Sequence, residues 1–259
     1  MEYPIYQVDA FTERRFHGNP AAVVISEEWL AAEVMQAVAA ENNLAETAFL
    51  VREGARFGIR WFTPTVEIDL CGHATLASAH VLFEQGYTSG DAIELRYGGG
   101  VLNVTRDGER LALDFPSLPP TRTRADSELG AALGALPDEA HIAKAQMAVY
   151  ASAKAIRALE PDMTAVAKLE GYGLIVTAPG DDCDFVSRFF APQSGVPEDP
   201  VTGSAHCTLI PYWSKRLGKT RLHARQISPR GGELWCEDRG ERVTIAGFAA
   251  SYLKGSISI

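Results

Sequence analysis

Seven apolar residues between Ala74 and Phe83 (Ala74, Leu76, Ala77, Ala79, Val81, Leu82 and Phe83) surround a helix axis almost completely. A helix that is apolar on nearly every side belongs at the centre of a fold, and Gly86 is placed to stop it. The stretch EEWLAAEVMQAVAAENN (27–43) has a narrower stripe at Leu30, Val34, Ala37 and Val38, which predicts a surface helix. IELRYGGG (93–100) and VLNVTRDGERLALDFP (101–116) alternate instead, and read as strand, turn, strand, turn, strand, with RDGE as a hairpin signal. AVAKLEGYGLIVTAPG (165–180) ends a helix and enters a strand. SLPPTRTRADS (117–127), rich in Pro, Ser and Thr, is the natural linker.

These patterns occur twice. FGIRWFTP (57–64) returns as FVSRFFAP (185–192), matching at Phe, Arg, Phe and Pro. Gly72 pairs with Gly203, Gly86 with Gly218, and Gly99-Gly100 with Gly231-Gly232, in the same order and at nearly constant offset. Each copy has a strand ending in Phe-x-Pro, an acidic turn, then Gly-His or Gly-Ser opening a helix. The residue before Pro is held extended, so the strand ends there. The reading is an α+β chain of two related half-molecules, each wrapping strands around one buried helix: residues 1–117, joined by the last strand 249–259, and residues 118–248.

Charge narrows the function. Formal net charge is -9 and the sequence pI about 5.2, with no Lys/Arg cluster. Such a chain repels phosphate backbones, so no nucleic-acid partner is expected. No apolar run is long enough to span a membrane, and MEYPIYQVDAF is not a secretion signal. The four cysteines (71, 183, 207, 236) form no C-x-x-C pair, which favours a reducing cytoplasm over a disulfide scaffold.

Candidate chemistry gathers at the two helix starts, near Gly72 and Gly203. A helix N-terminus carries unpaired N–H groups and partial positive charge, and glycine lets an anion approach the main chain closely. Beside these starts stand His73 in the first copy and Asp199 and Ser204 in the second. Glu46, where a polar loop enters the apolar strand of NNLAETAFLV, is placed to act as a general acid or base. The blander alternatives are His73 as a capping or packing residue, Glu46 as a solvated strand end, and Cys71 as a small buried hydrophobe. Cys71, His73 and His80 make a poor zinc set, because ligands on one helix sit at i, i+3 or i+4 and the histidines are seven apart. No metal is expected. YGGGVL is not a dinucleotide fingerprint, and no Walker lysine follows a glycine loop.

VDAFT, GNPAAVV (18–24), NLAETAF (43–49), RWFTP, CGHATLASAHVL, LDFP (113–116) and EDPVTGSAH (198–206) together resemble the PhzF-like isomerases of phenazine biosynthesis, over nearly the whole chain. That family is related to diaminopimelate epimerase and proline racemase. The resemblance implies two similar domains, each a barrel-like β-sheet around a central helix, with the active site in the cleft. It also implies a homodimer and no cofactor. Glu46 would move a proton to or from carbon, and His73, Asp199 and Ser204 would hold or protonate a small carboxylic-acid substrate. Gly72 and Gly203 would bind its carboxylate, with Asn19 of the GNP motif nearby. The related racemases use two cysteines; here Cys71-Gly72 fits the first motif but Thr202-Gly203 fills the second, which favours a proton shuttle on one carboxylate. Phenazine-making members read Ala-Gly-His-Pro-Thr where this chain has Cys71-Gly72-His73-Ala74-Thr75, which places it in the broader branch. A silent small-acid-binding protein on the same fold and a true amino-acid epimerase are the alternatives.

Overall fold

The computed structural model describes all 259 residues, in two compact units: Met1–Asp114 with Ala246–Ile259, and Phe115–Ile245. The first unit contains β1 (Glu2–Ala10), β2 (Asn19–Ser26), α1 (Ala32–Asn42), β3 (Glu46–Glu53), β4 (Arg56–Phe62), β5 (Glu67–Ile68), α2 (Gly72–Glu84), β6 (Ala92–Tyr97), β7 (Gly100–Asp107) and most of β8 (Arg110–Pro116). The second contains β9 (Thr121–Thr123), α3 (Ser127–Leu133), β10 (Glu139–Ile142), β11 (Gln146–Val149), α4 (Ala153–Arg157), α5 (Met163–Val166), β12 (Leu174–Pro179) and β13 (Phe185–Phe190). After a short 3-10 turn it continues with α6 (Gly203–Leu217), β14 (Arg221–Gln226), β15 (Gly232–Asp238) and most of β16 (Arg242–Gly247), and β17 (Ala249–Ser258) returns to the first unit. The division falls three residues earlier at each boundary than the sequence suggests. The chain changes unit inside β8 and β16 rather than at the Pro-rich stretch, part of which is β9.

In the first unit the strands run in the order β17-β1-β2-β3-β4-β6-β7-β8. The β2/β3 and β4/β6 pairs are parallel and the others antiparallel. In the second unit β9 to β15 repeat that order and those directions, with β11/β12 and β13/β14 parallel. A parallel pair needs a crossover, and helices supply it: α1 between β2 and β3, α2 between β4 and β6, α6 between β13 and β14. The duplication therefore reaches beyond the residues whose identities still match, into β1–β3 and β10–β12.

Helix α2 lies against β1, β2, β3 and β17, and ten of its thirteen residues are buried. Its buried Ser78 donates to the Ala74 carbonyl at 2.7 Å, and Thr75 donates to the Cys71 carbonyl. Such back-bonding lets small hydroxyl residues sit in a dry core. The predicted surface helix is present as α1, but its buried residues are Met35 and Ala39. Ala37 is exposed and Val34 half-buried. Leu30 and Val38 of the expected stripe do pack against the cluster of Phe49 and Phe62, but Met35, long enough to reach into it, and Ala39, one turn on, are the residues that enter it. In the second unit Trp213 of α6 stacks on Phe185, ring centroids 5.6 Å apart, and donates its indole N–H to Thr177 at 2.9 Å. No helix is long and apolar enough to cross a membrane.

Leu76 is fully buried on α2. Leu76→Ala should cost about 2–5 kcal/mol through lost burial and an unfilled cavity, read by urea unfolding.

Candidate active site

Asn19 opens β2, Glu46 opens β3, and the two strands lie side by side with Ala21 opposite Glu46. The turn before Asn19 requires glycine: Gly18 has φ +64°, and a Cβ there would stand 2.1 Å from the Ala10 carbonyl oxygen. Cys71 is the extended residue before α2 and His73 the helix's second residue, so the chain enters the helix with thiol and imidazole on the same side. His73 is the hub. Its Nε2 lies 2.9 Å from Glu46 Oε2, and its Nδ1 lies 3.1 Å from the Asn19 amide and 3.4 Å from Cys71 Sγ. His73, Asn19 and Cys71 are buried, and the Glu46 side chain keeps 15% of its surface exposed.

The electrostatics follow from this packing. Burial alone would push the His73 imidazole down, but the neighbouring Cys71 and the Glu46 carboxylate hold it well above the ordinary histidine range. The Cys71 thiol is pushed up by burial and by the neighbouring Glu46, and pulled down by His73. An amide offers either an oxygen or an NH2, so Asn19 suits both charge states of Nδ1. The Glu46–His73 contact is close but poorly aligned as a hydrogen bond, and neither buried atom has an aligned partner. Glu46, Cys71 and His73 are also the residues able to hold a cation, each with a ligand atom within 4.8 Å of the other two. His80 stands elsewhere: its Nε2 meets Ser251 Oγ at 2.9 Å and Glu84 Oε2 at 3.4 Å, and burial lowers its pKa.

The second unit builds its own cluster at the start of α6. Thr202 is the extended residue before Gly203, the counterpart of Cys71, and its hydroxyl donates to Asp199. Buried Gln226 of β14 ties this turn together: it donates to the Asp199 carbonyl at 2.7 Å and to Thr202 Oγ1 at 3.0 Å, and accepts from the Thr202 N–H at 2.9 Å. Arg188 grips Glu198 with two bonds of 2.8 and 2.9 Å, pinning the chain that leads into it. Ser204 accepts a hydrogen bond from Tyr172 at 3.0 Å. His206, pushed down to about 4 by burial, stays neutral and accepts no proton at working pH.

Gln226 and Tyr172 escaped the sequence reading. Nothing local marks a glutamine in a strand as the brace of a loop 24 residues away. Tyr172 did leave a signal. Thr47 faces Phe62 on β4, while Leu174 faces Phe190 on β13, and Phe62 and Phe190 are repeat mates. Gly173 therefore occupies the place of Glu46. A Cβ there would lie 2.4 Å from the Phe189 ring, so no acid fits; Tyr172, one residue earlier, packs on Phe189 at 5.6 Å and reaches Ser204. Glu46 on His73 and Tyr172 on Ser204 are the same juxtaposition, a strand-start side chain on the first turn of the central helix. Asn19, Glu46, Gly72 and His73 come together in the first unit, and Asp199, Gly203 and Ser204 in the second.

Comparison with known proteins agrees with this architecture. The profile of the PhzC-PhzF family, described as phenazine biosynthesis-like protein, matches residues 8–255. An uncharacterized isomerase of Pseudomonas aeruginosa is 54% identical over the full length of both chains. The crystal structure of a PhzF-family phenazine biosynthesis protein from Enterococcus faecalis superposes with TM-score 0.98 at 49% identity, covering both chains completely. A predicted epimerase from Pseudomonas aeruginosa, only 18% identical, shares the fold at TM-score 0.75 over 98% of this chain and 99% of its own. Fold and kinship define an isomerase of α+β, epimerase-like architecture. The chain belongs to the PhzC-PhzF family.

An imidazole with a raised folded pKa stabilises the protein fully below its unfolded value, about 6.5, and loses that contribution as pH rises through the folded value. The stability gap between wild type and Glu46→Gln should thus narrow as pH rises above about 6.5. Denaturant unfolding across that range checks it; a constant or widening gap would contradict the assignment.

Proposed function

We propose that this isomerase moves a carbon-bound proton on a small carboxylic acid without a cofactor, with Glu46 as the proton carrier. The observation that carries the reading is the buried Glu46–His73 contact at 2.9 Å, backed by Asn19 on the far side of the imidazole. A carboxylate held beside an imidazolium and kept partly open to solvent has one oxygen to offer a substrate C–H. Glu46 takes that proton, the C–H electron pair delocalises toward the substrate carboxylate or an adjacent double bond, and the Glu46 acid returns a proton at another position or face. The charge that develops needs donors, and His73 with the start of α2 supplies them; no side chain caps that helix. Asp199 and Ser204 serve as the hydrogen-bonding groups of the second unit toward the substrate, with Gly72 and Gly203 admitting its carboxylate to the main chain.

Two-thiol racemisation fits poorly. Thr202, in the position counterpart to Cys71, has a hydroxyl already committed to Asp199.

The test is deuterium uptake from D₂O by a pool of small carboxylic acids, read by mass spectrometry for wild type and Glu46→Gln. Enzyme-dependent uptake should fall about 10²-fold or more in the variant, the loss expected for a true general base. The position of the label separates a double-bond shift from inversion at one carbon. Uptake that survives the substitution would remove Glu46 from this role, and carboxylate binding without uptake would favour a binding protein.

A further inference from the structure

Tyr172 is fixed more firmly than an aromatic at the edge of a loop requires. It stands between two glycines. Gly171 has φ +101°, a conformation that favours glycine, and its carbonyl accepts from the Gln193 amide at 3.0 Å. At Gly173 any side chain would meet the Phe189 ring. Phe189 has two parts to play here: its ring packs on Tyr172, and its carbonyl accepts the Asp199 N–H at 3.0 Å. One strand residue therefore sets the position of both Tyr172 and Asp199. The Tyr172 ring nevertheless keeps 37% of its surface exposed, so the anchoring serves more than burial.

The anchored phenol meets Ser204 Oγ at 3.0 Å, and Ser204 hydrogen-bonds no other side chain. A phenol is a stronger acid than an aliphatic hydroxyl, which makes Tyr172 the better donor of the two. Burial raises its pKa, so the phenol keeps its proton at neutral pH. A serine hydroxyl has one proton and two lone pairs. With a lone pair taken by Tyr172, the Ser204 proton must point elsewhere, and Ser204 is exposed on the first turn of α6. That proton is open to an acceptor arriving from solvent.

We propose that Tyr172 is a positioning residue: by donating to Ser204 it commits the Ser204 hydroxyl to act as a donor, so this group takes a carboxylate or carbonyl oxygen of the substrate and not an ammonium. The assignment rests on the reading of Ser204 as a substrate-binding group given above, and adds which way its proton points. Without the phenol oxygen the hydroxyl rotates freely and the acid is held less well. A contact of this kind supports the bound substrate throughout the reaction, so its loss belongs to binding more than to the chemical step.

Tyr172→Phe removes the phenol oxygen and keeps the ring on Phe189. Ligand-observed NMR of the pooled small carboxylic acids measures binding without turnover, for full-length wild type, Tyr172→Phe, Ser204→Ala and the double variant. The acid that binds wild type best should bind each single variant about two- to tenfold more weakly, the range of one hydrogen bond. The double variant should lose no more than Ser204→Ala alone, because Tyr172 acts only through that hydroxyl; a merely structural tyrosine would give losses that add. Where the acid takes up deuterium, the loss in Tyr172→Phe should appear in KM rather than kcat. Circular dichroism confirms that each variant is folded, and Ser204→Ala, at an exposed position, keeps the proposal open to refutation if Tyr172→Phe is not. Equal binding by wild type and Tyr172→Phe, additive losses, binding indifferent to Ser204→Ala, or no bound acid in wild type would each overturn it. Tyr172-dependent binding without deuterium uptake would leave it standing and remove the isomerase reading. Uptake that is lost in Glu46→Gln, with binding and uptake indifferent to Tyr172→Phe, would do the reverse.

Discussion

The contact between Glu46 and His73 is the interaction that the first unit is arranged to support. It joins the first residue of β3, a strand paired on both sides, to the start of a buried helix, and it sets a carboxyl group against an imidazole in surroundings where a lone charge is costly. A buried charge is tolerated only when another charge or several hydrogen bonds face it, and removing one partner leaves the other exposed to the full desolvation cost. Asn19 closes the arrangement from behind, and Gly18 makes the turn that brings Asn19 there. The pair is thus both a structural commitment and the chemical resource of the protein.

The duplicated frame explains why the chemistry is one-sided. Both units keep the strand order, the parallel crossovers and a central helix that starts with glycine. What they do not share is the set of side chains at the strand start and helix start. Where the first unit has Cys71, His73 and Glu46, the second has Thr202, Ser204 and, beside a glycine that the Phe189 ring keeps bare, Tyr172. The first set brings a thiol, an imidazole and a carboxyl group into contact; in the second, Thr202 donates to Asp199 and Tyr172 to Ser204.

Much of this was legible in the sequence because the repeat is local and its punctuation is covalent. Phe-x-Pro ends a strand and Gly-His or Gly-Ser opens a helix wherever they occur, and an all-apolar run between two glycines has only one place to go. Those rules located α2, α6, the β6–β8 meander and the residues flanking both helix starts. The parts that were not legible depend on side-chain reach across the fold. Met35, not Val34 or Ala37, anchors α1 because of what it touches on β3 and β4. Gln226 braces a turn far away in sequence, and the Pro-rich stretch hides a strand because β10 is there to pair with it. The grouping of Glu46 with Cys71 and His73 likewise follows from the parallel pairing of β2 and β3 against α2, which no spacing reveals.

The central claim is that Cys71 and Glu46 together keep His73 charged in a buried setting. The most direct measurement is the nitrogen-15 NMR spectrum of the His73 ring at neutral pH, assigned by its loss in His73→Gln. The account predicts two protonated ring nitrogens, the signature of imidazolium. One protonated and one bare nitrogen would show a neutral imidazole and contradict it.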